Sequence, residues 1–214
     1  IDVLWYDGRW PYVAEDWQAE RMNAMVREIQ PNILINGRNG LPGDFATPEQ
    51  NVTPPEPWRP WEACMTLNNH WGFHQGDSEW KSPKEVMSLL VKAAQGNGNL
   101  LLNVGPRGDG SVPEASLDIL REVGRWLKDC GEAIYDTDLF TFDYEVRGDH
   151  RGDWHPNGPF TAKGKTLYQI LRYWPGESVT VAGLRTEVTA PAPVSAARTQ
   201  ELPFAQNGGR VDVT

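Results

Sequence analysis

Two cysteines in 214 residues give no disulfide framework. Cys64 falls in an apparent buried strand and Cys130 at a helix end, which suits two free thiols better than a bridge. Neither has partners at metal-ligand spacing, so no metal is expected, and no motif calls for another cofactor. Gly105 and Gly108 lie in a Gly-rich turn, but the spacing is wrong for a phosphate loop and no Lys–Ser/Thr pair follows. Positive charge is also scarce. Lys and Arg number 20 against 29 Asp and Glu, for a net charge of −9 and a pI near 4.9. Nucleic acid and anionic membrane surfaces both demand a basic face, so neither is an expected partner. No stretch reaches the roughly 20 apolar residues of a membrane-spanning helix.

What the chain does have is tryptophan, ten in all. Trp10, Trp58, Trp61, Trp71, Trp80 and Trp154 sit in predicted loops, the first four directly beside Pro or Gly. Aromatics there suit sugar stacking, although packing on the outside of a sheet is the commoner use. A carboxylate stands near one such ring. Asp7 ends the apolar run Ile1-Asp2-Val3-Leu4-Trp5-Tyr6 and precedes Gly8. Asp is a poor strand former and a poor core residue, so it should stop the strand and project at its mouth. Trp5 shares its face by the two-residue strand period. A carboxylate beside an indole is a sugar-binding arrangement; the plain alternative is a strand-capping Asp.

Periodicity organises the rest. Residues 15–29 carry Trp17, Met22, Met25, Val26 and Ile29 at helical spacing, and Pro31 stops that helix. Residues 32–36 read as a second strand. Residues 41–61 hold six of the 17 prolines and no clear period, so a long ordered loop is expected there. Residues 63–67 read as a third strand. Ser82-Pro83-Lys84-Glu85 is a capping box opening a helix whose Val86, Leu89, Leu90 and Ala93 should face inward. Residues 99–106 are apolar without alternation, as in a strand of a parallel sheet covered on both sides. A third helix is expected over 113–130, with Leu117, Leu120, Val123 and Leu127 buried and Gly131 as its stop. This β-α-β-loop-β-α-β-α order predicts an α/β parallel sheet. From residue 138 the pattern changes to short Phe-, Tyr-, Val- and Thr-rich runs between Gly, Pro and Asn turns. Those runs, 139–146, 166–174, 178–181, 185–189 and 210–213, predict a small antiparallel β-sandwich. The expected domains are therefore 1–137 and 138–214.

Four motifs, in order, resemble the retaining α-L-fucosidases of the family-29 glycoside hydrolases. They are DVLWYDG at 2–8, TPEQ at 47–50, WEACMTLNNHWGF at 61–73 and NGNLLLNVGPRGDG at 97–110, followed by GEAIY at 131–135. The resemblance runs from Asp2 to about Thr137 and continues more loosely beyond. It implies a (β/α)8 barrel, here in part, followed by the β-sandwich. It also implies a fucosylated glycan or glycoside as substrate and no cofactor. On this resemblance Asp7 is the nucleophile. Glu49 is the acid/base, with Glu62 as rival. Arg38 and Trp71 contact the sugar, and Trp5 joins them on the Asp7 face. His70 and His74 are taken as structural or outer neighbours.

The resemblance also exposes a departure. A complete (β/α)8 barrel takes about 250 residues. Only four clear strands precede the sandwich here, and the strands that grip the fucose hydroxyls in complete members are absent. Two readings follow. One is an active retaining fucosidase, in which a homo-oligomer covers the open half-barrel. The other is a non-catalytic carbohydrate-binding or structural remnant.

Overall fold

In the computed structural model, which describes residues 1–8, 10–140, 157–173, 176–194 and 201–214, a parallel sheet carries the first half of the chain. Strands β1 (Val3–Leu4) and β2 (Leu34–Ile35) pair in parallel, Val3 opposite Leu34. Strands β3 (Glu62–Thr66) and β4 (Asn99–Asn103) pair in parallel over five positions, Cys64 opposite Leu101.

The segment between the two pairs departs from the expected loop. Residues 44–50 run parallel to both neighbours. Bridges join Asn36 to Phe45, Ala46 to Trp61 and Glu49 to Cys64. The amide of Asp44 donates to the Ile35 carbonyl at 2.8 Å, that of Cys64 to Pro48 at 3.0 Å, and that of Gln50 to Cys64 at 2.9 Å. Five parallel segments thus lie side by side in chain order. Pro48 hid this one from the sequence, because a proline demotes a run as a strand candidate while its carbonyl still accepts. Gly43 lets the segment in. A Cβ there would stand 2.3 Å from the Gly37 nitrogen, so only glycine permits that crossing.

Two helices cover one side. Helix α2 (Pro83–Gln95) begins at the expected capping box: the Glu85 amide donates to Ser82 Oγ at 3.2 Å, and the Ser82 amide to Glu85 Oε2 at 2.6 Å. Trp61, Ala63 and Met65 alternate onto this side and pack with Val52 and Ala93. Trp61 is 2% exposed and its indole donates to the Gly96 carbonyl at 3.0 Å, so it is core and not a loop aromatic. Helix α3 (Glu114–Cys130) adds Ile119 and Val123 to Leu67 and Val86. Its buried stripe is Ser116, Ile119 and Val123, and Leu120 is exposed, a correction of one helical position. The helix stops at Gly131, as expected, with the glycine in a right-handed conformation that leads into a 3-10 turn, Gly131–Ala133.

Helix α1 (Ala19–Ile29) starts later than its apolar period suggested. Residues 14–18 form turns that end with Gln18 at φ 48°. Its stripe is only partly covered: Met22 and Val26 are half-buried, whereas Trp17, Met25 and Ile29 are exposed.

The second half is antiparallel, as expected. Strands β5 (Phe160–Lys163) and β6 (Thr166–Gln169) form a hairpin. Strands β7 (Val179–Ala182), β8 (Phe204–Asn207) and β9 (Arg210–Val213) form a sheet in the order β7-β9-β8. Phe160 of the hairpin and Val181 and Val211 of the sheet share one core. Strands β5 and β8 were not anticipated. Residues 185–189 form no strand; the Val188 amide donates to the Gln206 side chain at 2.9 Å instead of to a ladder. Most of the run expected at 139–146 falls outside the described residues, as do Trp154 and Trp174. The two halves join directly. Thr161 Oγ1 donates to the Ala133 carbonyl at 2.6 Å, and Ile170 packs against Val91, Ala94 and Ile134.

Candidate active site

Alternation along each parallel segment sends one set of side chains to the helices and the other to the opposite face. That opposite face carries Trp5 and Asp7 beyond β1, Arg38 beyond β2, Thr47 and Glu49 on the bridging segment, and Cys64 on β3. The carboxyl ends of the parallel strands put these positions at one end of the sheet.

Arg38 is the centre of the cluster. Its Nη1 donates to Asp7 Oδ1 at 2.9 Å and its Nη2 to Glu49 Oε2 at 2.8 Å. Its Nε donates to Thr47 Oγ1 at 3.0 Å, and Nη2 also meets the Thr47 carbonyl at 3.2 Å and Cys64 Sγ at 3.5 Å. The guanidinium carbon lies 5.3 Å from the centre of the Trp5 ring, so one indole face carries the cation. Phe45 packs on Trp5 at 5.8 Å between centroids. A single planar fork thereby ties two carboxylates from separate segments to one frame. The two ends of the bridge differ in access. Asp7 is 69% exposed and Glu49 43%, whereas Arg38 is 20% exposed. Oδ2 of Asp7 has no hydrogen-bond partner among the described residues.

Asn36 sets the approach to Asp7. Its side chain accepts from the Tyr6 amide at 2.9 Å and donates to the Tyr6 carbonyl at 3.1 Å, which fixes the backbone just before Asp7. Burial works against the charge on Arg38, yet its bonds to Glu49 and Asp7 outweigh that and raise the guanidinium pKa. Burial pushes the Cys64 thiol pKa up, with the Arg38 charge pulling the other way.

The sequence candidates divide on this geometry. Asp7, Trp5, Arg38 and Glu49 come together. Glu62 does not join them. It sits at the start of β3 opposite Asn99, two residues before Cys64, toward the other end of the strand. Its carboxyl forms no hydrogen bond or ion pair with described residues, and burial pushes its pKa up. Trp71 lies on the loop after β3, exposed, with its carbonyl accepting from Asn103 Nδ2 at 2.6 Å. No contact joins its ring to the Arg38 cluster among the described residues. Thr47, Cys64 and Asn36 were not singled out as site residues. The TPEQ motif held the first signal, since its Thr stands two residues before Glu49 on one strand face. Among the described residues no group of three or more His, Cys, Asp and Glu is placed to hold a metal ion. No helix there is long and apolar enough to cross a membrane. A cleft of about 620 Å³ lies on another part of the loops, between residues 73–80 and 107–115. The reactive groups are at the Arg38 cluster, so that cleft is not the candidate active site.

A family model described as Alpha-L-fucosidase matches residues 1–132. The chain belongs to the α-L-fucosidase family. Plasma alpha-L-fucosidase of Homo sapiens is 31% identical over 188 residues, which cover 81% of this chain and 39% of that protein. A putative alpha-L-fucosidase of Caenorhabditis elegans is 34% identical over 148 residues, covering 64% of this chain and 31% of that one. The solved structure of alpha-L-fucosidase isoenzyme 1 from Paenibacillus thiaminolyticus superposes with a TM-score of 0.77 at 32% identity. It covers 100% of this chain and 57% of its own. That of the Thermotoga maritima alpha-fucosidase superposes with a TM-score of 0.77 at 26% identity, over 48% of its length. The chain thus spans well under half the length of the curated α-L-fucosidases it matches.

Proposed function

We propose that this chain carries the nucleophile and the acid/base of a retaining α-L-fucosidase, acting on terminal α-L-fucosyl linkages of glycans or glycosides. One observation carries the reading: Arg38 binds Asp7 and Glu49 through its two terminal nitrogens. Retention requires carboxyl groups about 5–5.5 Å apart, and carboxylates held on adjacent arms of one guanidinium stand close to each other. Asp7 Oδ2 attacks C1 of the fucosyl group. The C1–O bond breaks, and the leaving oxygen takes the proton of Glu49. The resulting ester is cleaved by water, whose proton returns to Glu49 as the C1–Asp7 bond breaks. Glu49 is preferred to Glu62 because it reaches Arg38 and Glu62 does not. Trp5 holds the guanidinium from below, and Trp71 offers an exposed ring at the rim. The deciding experiment is azide rescue. Asp7→Gly should lose hydrolysis of an aryl α-L-fucoside and regain turnover with azide, releasing β-fucosyl azide. An Asp7→Gly enzyme that hydrolyses at the parent rate, or that azide leaves inert, sinks the assignment.

The five parallel segments in chain order support a partial (β/α)8 wall over 1–137 and a β-sandwich domain over 138–214. Val3, Leu34 and Leu101 on the site face are exposed, as is Ile1 at the β1 edge. Apolar area of that kind calls for a cover. A second copy of the chain supplies it in this proposal, completing the pocket wall in trans. Sedimentation at low micromolar concentration checks this, and a folded, active monomer rules it out. The other reading is sugar binding without turnover. The openness of Asp7 favours it, and the azide experiment separates the two.

A further inference from the structure

The loop between β3 and α2 does two things at once. Trp71 reaches the rim beside the end of β4, where Asn103 holds its carbonyl. Two residues on, Phe73 turns away and forms one wall of the 620 Å³ cleft. The loop is seated between these two points. A Cβ on Gly105 would stand 2.7 Å from the Gly72 carbonyl carbon, so the β4 exit and the loop touch backbone to backbone. The far part of the loop is braced by Asp77. Its buried carboxylate accepts from the amides of Asn69 and Glu79, both at 3.0 Å, and meets His70 Nδ1 at 2.6 Å. His70 in turn stacks on His74, with ring centroids 4.3 Å apart and planes 5° apart. The cleft wall is therefore preformed.

Its lining is distinctive. Phe73 and Trp80 supply ring surface, and His74, Gln75 and Arg107 supply polar groups. The His74 ring nitrogens and the Gln75 amide have no hydrogen-bond partner among the described residues. Arg107 lies over Phe73 at 5.4 Å and donates through Nη1 to Ser111 at 3.4 Å, and its other guanidinium N–H groups have no hydrogen-bond partner among the described residues. Ring faces beside free amide, imidazole and guanidinium groups match a neutral sugar, which presents C–H faces and hydroxyls together. Asp77 and Glu114 in the same lining disfavour an anionic ligand, and Arg107 disfavours a cationic one. The volume suits one or two sugar rings.

We propose that this cleft is a separate subsite for the neutral glycan to which fucose is attached, reached along the rim from Trp71. As a subsite for that substrate it rests on the fucosidase reading; as a glycan-binding site it does not. The test therefore uses a probe without fucose, N-acetyllactosamine, titrated into the whole chain by calorimetry. The expected result is saturable binding with a Kd in the millimolar range, on the order of 1–10 mM. Phe73→Ala and Gln75→Ala should each weaken it about fivefold or more, and Asp7→Ala should leave it unchanged. Trp80 is avoided as the probe position because its ring also packs on the Leu67–Val86 core. The same two variants should lower kcat/KM for a fucosylated trisaccharide about fivefold and spare an aryl fucoside, the pattern of lost remote binding. Absence of saturable binding up to about 50 mM, binding untouched by both cleft variants, or binding lost in Asp7→Ala overturns the proposal. Failure of the fucosidase reading would show differently, as an aryl fucoside left uncleaved while the disaccharide still binds.

Discussion

The two faces of the parallel sheet are built from neighbouring residues and have opposite characters. On the helix side, Trp61, Ala63 and Met65 pack dry against α2. On the other side, the intervening Cys64 touches Arg38, and Leu101, its partner on β4, is 45% exposed. One face spends its area on burial, and the other holds polar groups that must stay reachable. Stability and chemistry are thus separated by a single residue step along the strand. Substitutions on the two faces should fail in different ways.

The largest effect belongs to the open face. Asp7→Ala should cut aryl fucoside turnover by about 10⁴-fold or more, since the covalent step is lost. Its melting temperature should stay near that of the parent, because the carboxylate is exposed. A large drop in melting temperature would mean the two faces are coupled. Glu49→Ala should cost about 10²–10⁴-fold on poor leaving groups and less on activated aryl fucosides, measured as a Brønsted series. The same leaving-group dependence in Glu62→Ala instead would transfer the acid role to β3.

The helix side should respond in stability. Trp61→Ala removes a fully buried ring and its bond to Gly96, and should cost about 3–5 kcal/mol in denaturant unfolding. A smaller cost of about 1 kcal/mol is expected for Ser82→Ala, which removes one half of the capping box. The smallest effect is pH-dependent. Burial raises the Glu62 pKa in the fold, so its neutral form is favoured there and its charged form is penalised. That preference stabilises the fold at low pH and is lost as pH rises through the raised folded value. Glu62→Gln should therefore raise the melting temperature slightly at pH 7 and leave it unchanged near pH 4. A variant gain that persists at low pH would assign the effect to something other than desolvation.

Much of this was legible beforehand where local chemistry is strong. The capping box at Ser82, the helix that follows it and the presence of an apolar strand from Asn99 all follow from spacing and side-chain type, although the strand expected to reach residue 106 ends at Asn103. The strand at 44–50 was not legible, because prolines erase its period and its partners lie at residues 35–36 and 60–64. The apolar stripe of α1 was visible as a pattern, but its exposure depends on what packs beside it. Arg27 illustrates the same limit: it reads as a helix-end cation, and only the fold brings it to Asp44, which also receives the Ile35 amide at 2.7 Å.

For the site, residue type and strand-end position singled out Asp7, because it closes a segment with a charged group that a core rejects, whereas Arg38 and Glu49 were named by the motif resemblance. The tertiary structure alone decided that one guanidinium holds both carboxylates, that Thr47 and Cys64 complete its setting, and that Glu62 stands toward the far end of its strand. The reason is physical. Strand period fixes which face a side chain takes, but distances between segments 30 or more residues apart exist only once the parallel register is set.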